Sequence, residues 1–305
     1  MLVTTLTITA ALFMGFPAQD AVQADPHARH SHDGSDPYGV FLDHTAPAIC
    51  TVTFILDVRG GGGQMDREVP MTATGTIVSS DGLIMMSSAA MDMATRGGQW
   101  MRRGRGGRGG GEGRDMDIEA TPTDIRIMLG GDFEEHDAEL VAKDSTMGLA
   151  FLKVTDPTPL SNVEHVTFDT PDRMRVGEEL IGISRLSERY DYEAYLGWLK
   201  LSGRVDQPRR MWTVSSGYNG RGLPLFNRFG QAVGVLTTSQ RSDDAGEGGR
   251  GGRMMGGGGG GGGAERVFLI PSADVNAVIE QARKKVADAE EAADAAQQVT
   301  ATESE

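Results

Sequence analysis

Along most of the chain, apolar residues recur at every second position in short runs bounded by Gly, Pro, Asp and Ser, the spacing of a strand with one face buried. Such runs occupy Ile49 to Val58, Ala73 to Val78, Leu83 to Met86, Asp124 to Leu129, Ala138 to Ala142 and Leu149 to Val154. They continue at Glu179 to Ile183, Tyr195 to Val205, Arg210 to Ser215, Gln231 to Thr238 and Arg266 to Ile270. Between the second and third lies Ser79-Ser80-Asp81-Gly82, a turn that makes them a hairpin. A helical period appears only after Pro271, where Ser272 is placed to cap a helix with Val275, Val278, Ile279, Ala282 and Val286 on one face. Many short strands and one terminal helix predict an all-β protein, a sandwich or a pair of barrels, against which that apolar helix face packs.

The rest of the chain does not carry these periods. Leu2 to Pro17 is apolar but short for a bilayer span, and Val22, Gln23 and Ala24 put small residues where a signal peptidase reads. Residues 1–24 are therefore expected to be a signal peptide, and the mature protein to be exported, periplasmic or extracellular, with no membrane span after cleavage. Residues 25–45 read as a polar linker in which His27, His30, His32 and Asp33 lie close together. Short His-rich linkers commonly stay unstructured, so neither a metal nor a cofactor is expected. Glycine-rich insertions at Arg59 to Gly63, Arg96 to Arg114 and Ala245 to Gly263 have no side chains to bury and read as flexible loops. Residues 286–305 are rich in Ala and Glu and read as a frayed acidic tail.

Of 305 residues, 39% are hydrophobic, enough for a substantial core. The net charge of -14, from 43 acids and 29 bases, argues against nucleic acid as a partner of the body. One local exception is the insertion with Arg102, Arg103, Arg105 and Arg108, which looks like an Arg/Gly box. A solvated surface loop is its favoured reading, and binding of an anionic polymer is the alternative. The single cysteine, Cys50, has no partner for an internal disulfide and sits in a strand-like run, where a buried structural thiol is expected.

The segment Asn219-Gly220-Arg221-Gly222-Leu223-Pro224-Leu225-Phe226-Asn227, followed by Gly230 and Val233 to Leu236, resembles the nucleophile loop of trypsin-fold serine proteases of the HtrA/Deg type. In those proteins the loop reads Gly-Asn-Ser-Gly-Gly-Pro-Leu. Three more stretches fall in the same order. Gly75 to Ile84 resembles the hairpin that leads to the family's histidine, with Ala89 at the histidine position. Glu139 to Val154 resembles the stretch ending in Asp-Leu-Ala-Val-Leu-Lys, with Gly148 at the aspartate. Phe268 to Ser272 resembles the entry to the last helix. The resemblance covers residues 46–285 and implies two packed six-stranded antiparallel β-barrels with a cleft between them.

What it implies for chemistry is an altered site. Acyl transfer on this fold needs a hydroxyl nucleophile, a base to take its proton and a carboxylate to orient the base. On the residues matched, those positions are held by Arg221, Ala89 and Gly148. A guanidinium stays protonated and cannot attack a carbonyl. The expectation is a non-enzyme that binds a peptide or protein ligand in a cleft formed by Asn219, Gly220, Arg221 and Gly222. A rewired endopeptidase drawing on Ser87, Ser88, Ser215 or Ser216 is the competing expectation, and His136 and His165 are placed in polar positions away from them.

Overall fold

The computed structural model describes residues 36–60, 67–92, 118–130, 133–156, 158–160, 163–169, 174–207, 209–215, 217–238 and 267–303. A short helix, α1 (Pro37–Thr45), leads into β1 (Ile49–Gly60), β2 (Arg67–Ile77), β3 (Leu83–Ser87), β4 (Ile118–Met128), β5 (Glu135–Asp144) and β6 (Leu149–Val154). These six pair antiparallel into a closed barrel in the order β1-β2-β3-β6-β5-β4. The second half supplies β7 (Glu179–Arg185), β8 (Ala194–Val205), β9 (Met211–Val214), β10 (Pro224–Phe226), β11 (Ala232–Thr238) and β12 (Val267–Pro271). They close a second antiparallel barrel in the order β10-β11-β12-β9-β8-β7, and the chain ends in helix α2 (Ser272–Glu303).

The two-residue period of each strand sorts its side chains into distinct cores. In β1, Val52, Phe54, Leu56 and Val58 point into barrel 1, where they meet Ile84, Met86, Ile127 and Leu152. Barrel 2 is filled by Leu180, Leu199, Trp212, Leu225 and Val233. A third cluster lies between the barrels: Ile49, Met85, Leu149 and Phe151 from the first meet Ile183, Phe226, Val235 and Ile270 from the second. The apolar face of α2 joins this cluster through Val275, Val278, Ile279, Ala282 and Val286, as its periodicity predicts. Strands that border it, such as β3 and β6, are buried on both faces, which is why Leu83 to Met86 reads as an unbroken apolar run. Each such side chain taken fully out of water contributes about 1.5–3 kcal/mol, so the barrels are fused by their packing and not merely tethered.

The predicted hairpin is present. Val78 N–H donates to the Leu83 carbonyl at 2.9 Å, Gly82 N–H to that of Ser79 at 3.2 Å, and Gly82 takes a φ of 88°. Asp81 accepts from the Ser79 hydroxyl and from Lys153, 2.9 Å away. Burial works against its charged form, but these two donors outweigh that and hold the carboxyl below its ordinary range.

Four differences from the sequence expectation have physical causes. Residues 37–45, read as part of a polar linker, form α1: the Asp36 carboxylate accepts from Tyr38 N–H, and Pro37 supplies a helical φ. Its apolar residues Val40, Phe41 and Leu42 are adjacent, so they draw no helical stripe. Phe41 instead stacks edge-on against Phe226, with centroids 5.2 Å apart. Strand β10 went unseen because it is three residues long, starts at a proline and is wholly buried, leaving no alternation to read. Arg59 and Gly60, assigned to a glycine-rich loop, end β1, paired with Glu119 and Ile118. Finally, α2 runs on through the expected tail to Glu303, and among its described side chains the last buried one is Val286. Ala and Glu, which dominate the sequence there, favour helix by intrinsic propensity.

Cys50 is fully buried, and burial pushes its thiol up to about 12. The expected signal peptide and the insertions 96–114 and 245–263 lie outside the described residues. Among the described residues no helix is long and apolar enough to cross a membrane.

Candidate functional site

The segment before β10 is a tight turn. Leu223 N–H donates to the Gly220 carbonyl at 3.0 Å, and Gly222 at the third position takes a φ of 79°, as a type II turn requires. The turn is laced to β11: Gly222 N–H donates to Leu236 O at 2.7 Å, and Leu236 N–H to Leu223 O at 3.1 Å. A methyl group at Gly222 would lie 2.2 Å from the backbone nitrogen of Ser87. Glycine is thus required twice over, for the dihedral and because the loop presses directly on the end of β3.

Immediately upstream, Tyr218 anchors the turn from inside barrel 2. Its hydroxyl donates to the Ile183 carbonyl at 2.7 Å. Its ring lies over Gly182, Gly197 and Gly220, where an added Cβ would sit 2.3, 2.2 and 2.2 Å from ring carbons. Burial raises the phenol's pKa, keeping it neutral and a hydrogen-bond donor at any physiological pH. On the other side, Asn227 is buried; its side-chain oxygen accepts from Phe229 N–H at 2.9 Å and Gln231 N–H at 3.1 Å, fixing the turn into β11.

The three segments singled out by sequence meet at the junction of the barrels. Ser88 N–H donates to Gly148 O at 2.9 Å, and Thr237 of β11 donates its hydroxyl hydrogen to Met147 O at 2.8 Å. With Gly222 against Ser87, the backbones bearing Ala89, Gly148 and Arg221 are drawn to one place. Ala89 begins a helical turn over residues 89–92, its N–H accepted by Ser87 Oγ at 3.3 Å. Gly148 leaves a turn in which Asp144 accepts from Thr146 and Met147 N–H groups at 2.8 and 2.9 Å. Its φ of 70° suits glycine and strains a side-chain-bearing residue. Arg221 is half-buried on the loop, Asn219 is exposed, and Gly220 and Gly222 are buried.

No imidazole stands at this junction among the described residues. His44 faces Glu164 at 3.1 Å, His136 lies in β5 opposite Ile127, and His165 is exposed. The serines weighed as substitutes hold backbone or turn structure. Ser87 accepts from Ala89, Ser88 donates to Asp92 at 3.5 Å, and Ser215 accepts from Lys200 N–H at 2.9 Å. Ser216 lies outside the described residues, as do Arg102, Arg103, Arg105 and Arg108. No group of His, Cys, Asp and Glu suited to a metal ion occurs among the described residues.

Sequence reasoning missed the part of Tyr218. Gly182 and Gly197 fall in separate strand-like runs, and only the pairing of β7 with β8, which sets them opposite each other, reveals a recess for one ring. No protein-family model matches the chain, and no curated protein matches it significantly.

Proposed function

We propose that this chain is an exported two-barrel protein of the trypsin-like, HtrA/Deg type that binds a peptide or protein without cutting it. The observation that carries this reading is the composition of the junction where the 87–89, 147–148 and 220–223 backbones meet. The side chains there end in a methyl, a hydrogen and a guanidinium, from Ala89, Gly148 and Arg221. None of them can take a proton from a nucleophile near neutral pH, and none is a nucleophile. Loss of a single triad member from an enzyme of this chemistry lowers turnover by about four to six orders of magnitude. The half-buried cation of Arg221 suits a carboxylate, so a peptide C-terminus or an acidic side chain is the ligand group proposed at this junction.

Export is part of the proposal and rests on residues 1–24. N-terminal sequencing of the protein isolated from its native compartment should find the chain starting after Ala24. The decisive chemical test treats the mature protein with a fluorophosphonate probe and, separately, with casein. No labelling and no cleavage are expected. Labelling that heat denaturation abolishes would instead establish a working serine hydrolase.

A further inference from the structure

A second site lies away from that junction, on the outer wall of barrel 1 where the β7–β8 turn of barrel 2 leans over it. The outward residues of β1, β2 and β4 leave an open groove of about 520 Å³, with Ile55, Pro70 and Met128 as its apolar floor. Phe133 and Tyr192 form one wall, their ring centroids 6.3 Å apart and tilted by 55°. Phe133 keeps 48% of its surface exposed, a large apolar ring in the open next to a concave surface. Asp124, Glu135 and Glu188 stand around the rim.

The rim is electrostatically unbalanced. Arg126 sits between Asp124 and Glu135, at 3.0 and 2.7 Å, so one guanidinium serves two carboxylates. Glu188 makes no ion pair among the described residues, and three acids face one base across the groove. The field is felt at the wall: besides burial, the charges of Glu188 and Glu135 push the Tyr192 phenol up. The backbone there is also held in an unusual way. Asp124, Asp191 and Tyr192 are the non-glycine residues with positive φ among those described, at 48°, 52° and 53°. For an aromatic residue that conformation is rare, and here it turns the Tyr192 ring toward Phe133.

An aromatic wall beside carboxylates favours one kind of guest, a cation carried on an apolar stem. The ring faces attract the charge, the carboxylates neutralise it, and the floor takes the methylenes. Both barrels are closed, with β1 paired on either side to β2 and β4, so a guest cannot add as a strand here and must be held by its side chain. We infer that this groove is a docking site for an arginine or lysine side chain of a partner polypeptide, flanked by aliphatic residues. The site goes beyond the proposed function, because it shares no residue with the 89/148/221 junction and does not depend on the absence of hydrolysis.

The test is fluorescence anisotropy with a fluorescein-labelled peptide Leu-Gly-Arg-Val-Leu-Gly, titrated with the mature protein at low salt. Saturable binding is expected. The same peptide with citrulline for arginine should bind at least ~5-fold more weakly, and added salt should weaken the arginine peptide only. Glu188→Gln and Phe133→Ala, both exposed positions, should each weaken binding ~2–5-fold with thermal melting unchanged. Equal affinity for the citrulline peptide would overturn the inference in favour of a purely apolar groove. Absence of saturable binding, or unaltered affinity in both variants, would overturn it outright. Self-association in sedimentation velocity that both variants abolish would assign the groove to a second copy of the chain instead.

Discussion

The guanidinium of Arg185, at the end of β7 in barrel 2, donates to the backbone carbonyl of Ala46, in the lead-in to barrel 1, at 2.8 Å. The same group donates to Ile49 O and, at 3.0 Å, to Tyr192 O. One side chain thus ties the start of barrel 1, the end of a barrel 2 strand and the turn that overhangs the groove. The three carbonyls are met by three different nitrogens of the planar guanidinium, whereas lysine's donors all radiate from one nitrogen and cannot reproduce that spread. Arg185→Ala is expected to destabilise the fold by about 2 kcal/mol, since charge-assisted hydrogen bonds to half-buried carbonyls are lost. That corresponds to a fall in Tm of roughly 4–8 °C for a domain of this size, and Arg185→Lys should recover only part of it. An unchanged Tm in calorimetry for the alanine variant would remove the clamp from the account of how the barrels are joined.

Gly222 should be the least replaceable glycine of the site. Alanine there meets both a left-handed φ and the Ser87 backbone, which cannot rotate away like a side chain. Gly177 is the control: its φ is 90°, but nothing lies within 4 Å of an added methyl. Gly177→Ala should lower stability by about 1–2 kcal/mol from backbone strain alone. Gly222→Ala should lower it by clearly more in urea denaturation, or fail to give folded protein. Equal losses would mean that the loop can move off β3.

Much of this was legible beforehand, and the reasons differ by element. Strands with one face on a core alternate, so β1 and β8 could be read nearly to their ends, and β6 was bounded by turn residues on both sides. The convergence of residues 89, 148 and 221 came from motif order and not from any local period. What stayed hidden has no local signature. Strand β10 is too short to alternate, α1 is held by contacts with the distant second half of the chain, Phe41 on Phe226 and Tyr38 on Trp198, and the recess for Tyr218 exists only once β7 and β8 pair. The groove under Phe133 and Tyr192 joins residues from the two halves of the chain, which no window of sequence brings together.

Restoring one reactant should not restore hydrolysis. Arg221→Ser places a hydroxyl on the type II turn, but Ala89 still offers no base, and the free hydroxyl remains a weak nucleophile. The single variant is expected to stay unlabelled by fluorophosphonate. Adding Ala89→His and Gly148→Asp supplies the missing groups. The aspartate must adopt the φ of 70° now held by glycine, a conformation Asp tolerates at a cost of about 1 kcal/mol. Labelling of Arg221→Ser alone would show that another base already serves the junction.

Cys50 gives a pH test of the barrel 1 core. Burial raises its thiol from 9.0 to about 12, so the native protein keeps the proton through a range in which the unfolded chain releases it. Between those values the unfolded state binds fewer protons than the native state, and stability must fall as pH rises. The contribution is complete below 9.0 and is lost progressively toward 12. Tyr218, whose phenol burial also raises, adds a slope of the same sign, so the comparison must be with Cys50→Ala, which retains the tyrosine. The variant is expected to be less stable at neutral pH because a buried sulfur is missing, but its Tm should decline less steeply than the native one above pH 9. In parallel, a disulfide reagent should leave the native thiol untouched at neutral pH and titrate it once the chain is unfolded. Parallel alkaline slopes, or rapid reaction in the native state, would place Cys50 outside the core and would contradict the inward parity assigned to the strand that carries it.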